Sequence, residues 1–341
     1  MTNNLNNNVS NKLIVADRFN NSIELALNCH FDKESAVRRV NRRLANYPPQ
    51  KLYMHKTHKP ITFFIIENGH QVYMKKSSSK LYELARRQYL ELLLEILKLT
   101  GLTGAREVGR RQQLIDKLQN LISIYEKGRL DLARIVMTSA QYNWYTGNYR
   151  RKSIAAGSET AGQTHFTKLG VEVRSKSERD IGNACETLAI PYHYEEQNIF
   201  KVYPLVKKLQ NQLSAGLNGW QLKGRLCDSR GSTCYWNVPP VLEWLNAPGS
   251  LWRTYNEYHG TVIIYNDFKF MLADGSVVLW EHEGLCDDFV YRNNASERVF
   301  VLIHSGAIDP QNLVYTFEQQ VANPAGLNQI IFSRILSRLW F

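Results

Sequence analysis

No apolar run in this chain approaches the ~20 residues that a bilayer-spanning helix needs. The Asn-rich opening, Met1-Thr2-Asn3-Asn4-Leu5-Asn6-Asn7-Asn8, lacks the charged-then-apolar pattern of a secretory leader. Membrane residence and export are therefore not expected, and the opening reads as a disordered lead-in. Cysteine is scarce: five in 341 residues, an odd and scattered set. That argues against a disulfide framework and for reduced thiols in the cytoplasm. Acid is short relative to base, 31 Asp and Glu against 42 Lys and Arg, for a formal net charge of +11. Such a surplus favours phosphate-rich partners or an anionic surface, although solubility alone could account for it. A nucleotide-binding loop is missing too. Gly104 to Gly109 has its spacing, but Arg110 and Arg111 stand where Lys and Ser/Thr are required. Cys227 and Cys234 offer only two zinc ligands with no convincing second pair nearby.

What is present is enough apolar residue, 44% of the chain, for a substantial core. Length suggests two domains. Residues 33–45 read as a helix with Val37, Val40 and Leu44 on one face and Arg38, Arg39, Arg42 and Arg43 elsewhere. Those arginines are either phosphate contacts or a solvated basic face. Asn68-Gly69 between two apolar runs signals a hairpin. Helices are expected over about 81–99, with Leu84, Tyr89, Leu92, Leu93, Ile96 and Leu97 as core, and over about 111–125. Residues 1–130 thus form an N-terminal α+β domain, and 131–165 a helical connector.

Three acids stand out beyond residue 165. Ser175-Lys176-Ser177-Glu178 fits a capping box, so a helix starts here, with Ile181, Ala184, Cys185 and Leu188 as its apolar stripe. Glu178 either serves only that cap or is available to a metal. Residues 261–272 and 276–280 alternate like strands around a turn at Asp274-Gly275. A two-residue loop would put Asp267 and Glu281 on opposite faces. A three-residue loop, Ala273-Asp274-Gly275, pairs them directly and wants a left-handed residue where Gly275 sits. Carboxylates paired in this way lie about 5 Å apart at Cβ, within reach of one hard cation. Two ordinary surface acids on a hairpin remain the alternative.

The combination of Arg174-Ser175-Lys176-Ser177-Glu178, Ile190-Pro191-Tyr192-His193-Tyr194-Glu195, Asn266-Asp267-Phe268 and Trp280-Glu281-His282-Glu283-Gly284 resembles the core of the PD-(D/E)XK nuclease-like superfamily. The likeness is to uncharacterised bacterial and phage members and covers most of the chain. It implies an α/β (α+β) fold over 166–341, a mixed central sheet flanked by helices. It also implies hydrolysis of phosphodiester bonds in nucleic acid, DNA before RNA, with Mg2+ or Mn2+. By position, Glu178, Asp267 and Glu281 would hold the metal and carry catalysis. Arg174, Lys176, Lys207 and Lys208 would contact nucleic acid. Glu195 either adds a ligand or faces solvent.

Three features depart from the family pattern. Asn266 replaces the usual proline, a change expected to affect only backbone shape. Glu283 stands where a lysine normally follows the second acid, and Lys269, two residues from Asp267, is the preferred substitute. Residues of about 200–258 form a Trp-rich, basic insertion. Its tryptophans either stack bases or build a small core, and its ends are expected beside the acids. A nuclease-derived binding protein without catalysis is the alternative that Glu283 favours.

Overall fold

The computed structural model describes residues 13–57, 60–151, 165–201, 261–284 and 308–341, and the backbone of 225–227 and 233–235. The Asn-rich opening, Lys207, Lys208 and the four tryptophans of the insert lie outside the described residues.

The first part runs α1 (Ala16–Asn28), α2 (Lys33–Ala45), β1 (Tyr53–His55), β2 (Thr62–Glu67), β3 (His70–Tyr73), α3 (Ser79–Leu99), α4 (Ala105–Lys127), α5 (Leu132–Val136) and α6 (Ser139–Thr146). The Asn-Gly signal gives the β2–β3 hairpin: Asn68 and Gly69 have φ of 50° and 81°, as a primed turn requires. Phe63 and Ile65 point inward from β2, and α3 buries Leu84, Tyr89, Leu93, Ile96 and Leu97. Helix α4 begins a turn and a half earlier than its apolar spacing suggests. Its first turns are exposed and polar, so periodicity could not reveal them.

Two of the four arginines on α2 have neither of the expected roles. Arg39 Nε donates to the Phe341 carbonyl at 3.0 Å, and Arg43 reaches the carbonyls of Trp340 and Val136. They tie the helix to residues 340–341. Trp340 and Phe341 are themselves buried. The Trp340 ring stands edge-on to Phe19 with centroids 5.0 Å apart, and its indole N–H donates to Ser22 Oγ at 2.9 Å. One continuous apolar core therefore includes α1 and the last residues.

The second part runs β4 (His165–Phe166), β5 (Glu172–Val173), α7 (Lys176–Thr187), β6 (His193–Tyr194), β7 (Gln197–Lys201), β8 (Arg225–Cys227), β9 (Thr233–Tyr235), β10 (Thr261–Tyr265), β11 (Phe268–Met271), β12 (Val277–Glu283), β13 (Leu313–Phe317), α8 (Glu318–Val321) and α9 (Pro324–Ile331). A four-stranded sheet has the order β13-β12-β11-β6. Strands β12 and β13 are parallel and the other neighbours antiparallel, so the fold is mixed α/β with a mixed sheet. Phe268, Phe270, Val278 and Trp280 alternate onto one fully buried face. No helix among the described residues is long and apolar enough to cross a membrane.

The expected single strand over 261–272 is two strands. β10 pairs with β7, with Thr261 opposite Lys201, whereas β11 joins the four-stranded sheet. The break falls at Asn266-Asp267. Both halves alternate, so the pattern shows strand character but not the change of partner.

Candidate acidic site

The turn after β11 sets the geometry of two acids. Phe268 pairs with Trp280 and Met271 with Val277, and the Leu272 N–H donates to the Ser276 carbonyl. The loop is therefore Ala273-Asp274-Gly275, with Gly275 at φ 84°. One residue beyond β11, the same register places Asp267 opposite Glu281, on one face. The His282 N–H donates to Asp267 Oδ2 at 2.7 Å and fixes that carboxylate.

A third acid extends the row. Tyr194 pairs with Phe268, and the next amide, Glu195 N–H, donates to the Asp267 carbonyl at 3.1 Å. Glu195, Asp267, Glu281 and Tyr315 thus cross four neighbouring strands in one line. Glu195 does not face solvent; it is fully buried and holds a left-handed φ of 50°. A non-glycine residue there carries backbone strain that its surroundings must hold in place. Arg174 spans the row, ion-paired to Glu195 and 3.8 Å from Asp267. Burial works against the guanidinium's charge, but Glu195, Tyr194 and Glu178 outweigh it and raise its pKa.

Glu178 has two roles. Its Oε2 accepts from the Ser175 and Arg174 amides at 3.1 and 2.8 Å and from the Tyr194 hydroxyl at 2.6 Å, while Ser175 Oγ accepts from the Glu178 amide. The capping box therefore forms as expected. The Glu178 charge nevertheless reaches Asp267. Burial first, then the charges of Glu281 and Glu178, hold the Asp267 carboxyl well above the usual carboxylate range. The His282 amide and Arg174 partly offset this.

Asn266 does more than shape the backbone. It is fully buried, its amide donates to Glu281 Oε1, and its carbonyl oxygen accepts from Asn198 Nδ2 at 3.1 Å. A proline could make neither contact. Glu283 is buried two residues on from Glu281, on the same strand face. On the opposite face, His282 lies 3.2 Å from both Thr316 and Glu318, and Glu318 also accepts from Ser177 at 2.7 Å. Lys176, the first residue of α7, is exposed nearby.

Lys269 is committed elsewhere. Its ammonium lies 2.6 Å from Glu196, which also contacts His193 Nδ1 at 2.6 Å and accepts from the Trp144 indole at 3.2 Å. The His193 ring is stacked on Tyr149 at 4.0 Å and lies 4.1 Å from Trp144. This cluster joins α6, β6 and β11. Along the chain, only the i, i+3 spacing of His193 and Glu196 hints at it.

Burial alone would raise the Glu196 pKa, yet the bonds from His193 and Lys269 hold it at about 2. A depressed carboxylate stabilises the fold above its unfolded value near 4.5 and loses that contribution as pH falls towards 2. Glu196→Gln should therefore cost about 1–2 kcal/mol at neutral pH, after allowance for solvent screening. In urea titrations the gap between parent and variant should close as the pH is lowered below 4.5. A gap independent of pH would show that packing, not charge, holds the cluster.

Among the described residues no group of three or more His, Cys, Asp or Glu side chains forms a ready-made metal cage. One oxygen of Glu178 is spent on its cap and on Tyr194, which leaves Asp267 and Glu281 as the facing pair. The chemistry of this donor set still suits a hard cation. It has buried carboxylates of like charge, Asp267 held protonation-prone by burial first and by its neighbours second, with hydrogen bonds that orient them. Comparison of the chain with protein-family models, curated proteins and solved structures gives no significant match.

Proposed function

We propose that this protein is a metal-dependent nuclease of the PD-(D/E)XK-like type, acting on nucleic acid, DNA before RNA, in the cytoplasm. The observation that carries this reading is the meeting of Asp267 and Glu281 across one strand pair, within electrostatic reach of Glu178 at a helix start. Mg2+ or Mn2+, when bound, supplies a Lewis acid and lowers the pKa of a bound water. Asp267 and Glu281 would hold the ion. The His282 amide and Asn266 side chain orient those two carboxylates. Glu178 adds negative charge while fixing the start of α7. Arg174, half exposed at the edge of the row, can turn from Glu195 and Asp267 to a substrate phosphate. The basic balance of the chain and its free Cys29 and Cys185 thiols are consistent with a polyanionic substrate and a reducing compartment.

A second reading rests on a specific observation. Glu283 replaces the expected lysine, and Lys269 is paired with Glu196, so the cation that would steer the attacking water is engaged elsewhere. In that case the fold binds nucleic acid without cutting it. Incubation of plasmid and single-stranded DNA with EDTA, Mg2+ or Mn2+, beside a Glu281→Ala control, separates the two. Cleavage that needs metal and Glu281 supports the enzyme. Binding without cleavage supports the second reading.

A further inference from the structure

We propose that the outer face of the β1–β2–β3 sheet is a stacking platform for single-stranded nucleic acid. This face is formed far along the chain from the acids and does not depend on their chemistry. Register places Tyr53, Phe64 and Tyr73 in one row, with His55 beside them. The Tyr53 and Phe64 rings stack at 5.5 Å and 20°, and His55 and Phe64 at 4.5 Å and 21°. Phe64 is buried beneath its neighbours, whereas Tyr73 is 56% exposed, and Ile66 on the same face 47%. A sheet face meant only for water would be polar, whereas this one is aromatic at its centre.

The charge around it selects the occupant. Between residues 51 and 80 there are six lysines and one acid, Glu67. Glu67 points to the other face and is paired with Lys80 at 2.9 Å. The Lys51 ammonium lies 5.3 Å from the Tyr53 ring centroid, and Lys56 and Lys75 are exposed at the margins. Flat rings rimmed by lysines suit a ligand with flat apolar faces and regularly spaced negative charge. Unpaired nucleic acid has both, whereas the bases of a duplex are already stacked on one another.

The test uses the full chain in EDTA, so that no cleavage interferes. Anisotropy of a short fluorescein-labelled oligothymidylate is compared with that of a duplex of equal length and with labelled polyglutamate. The oligothymidylate should bind more tightly than either. Tyr73→Ala should weaken it roughly ten-fold, while Tyr73→Phe, which keeps the ring, should bind like the parent. Lys75→Ala should lower the salt slope by about one unit. Circular dichroism confirms that each variant is folded. An unchanged affinity in folded Tyr73→Ala, failure of the oligothymidylate to bind, or equal binding of polyglutamate would overturn the platform. Tyr73→Ala should leave any metal-dependent cleavage of plasmid DNA within a few-fold of the parent, so loss of stacking and loss of cleavage are read separately.

Discussion

Asp267→Ala or Glu281→Ala should reduce divalent-metal-dependent cleavage of plasmid DNA by roughly a thousand-fold or more, in line with the loss of a primary electrostatic contact in an active site. The fold should survive. Each carboxylate is buried beside others of like charge, so its removal relieves repulsion while sacrificing contacts that include the hydrogen bond from the His282 amide to Asp267 or from Asn266 to Glu281. The melting temperatures of the variants in EDTA should therefore lie within a few degrees of the parent. Mg2+ should raise the melting temperature of the parent and leave both variants unmoved, because only a state that binds the ion is stabilised by it. Equal cleavage by variant and parent would assign the activity to a contaminant. A metal-induced shift that persists in both variants would move the ion to another place.

The second large effect concerns stability. Trp340→Ala should cost about 3–5 kcal/mol, the range for emptying a buried tryptophan site. The indole is enclosed, packs edge-on against Phe19 and donates to Ser22, and Phe341 beside it rests on Phe31. Ser22→Ala isolates the hydrogen bond and should cost only about 1 kcal/mol. Urea unfolding of the three proteins measures both. If Trp340→Ala cost no more than Ser22→Ala, the contact between the two ends of the chain would be peripheral to the core.

The legibility of this structure follows the range of the interactions. The hairpin at Asn68-Gly69, the α7 cap at Ser175 and Glu178, and the three-residue loop ending in Gly275 were readable because each is decided by residues a few positions apart. The facing of Asp267 and Glu281 followed from the three-residue loop, whereas the two-residue alternative would have put them on opposite faces. The break at Asn266-Asp267 was not readable, because it reflects a change of partner from β7 to β6 and β12, and apolar alternation is silent about partners. The roles of Arg39 and Arg43 were hidden for a similar reason: their acceptors lie some 300 positions away. Lys269 shares the face of Asp267 as its spacing suggests, but its partner Glu196 could be found only in three dimensions. The placement of Glu195 was ambiguous because a left-handed residue leaves the strand pattern that would have predicted its direction.

The pairing of β7 with β10 has a consequence for how such a chain can be edited. Lys201 and Thr261 are direct partners on adjacent antiparallel strands, so the long stretch between them begins and ends at nearly one point. The pairing sets no length for that connection: a two-residue Asn-Gly turn would close the same ladder. The length of the connection is therefore not dictated by the register that the two strands hold. The ladder itself runs from Gln197 and Tyr265, next to Glu195-Glu196 and Asn266-Asp267, out to Lys201 and Thr261, so the strand pair is an arm that leads away from the acidic row.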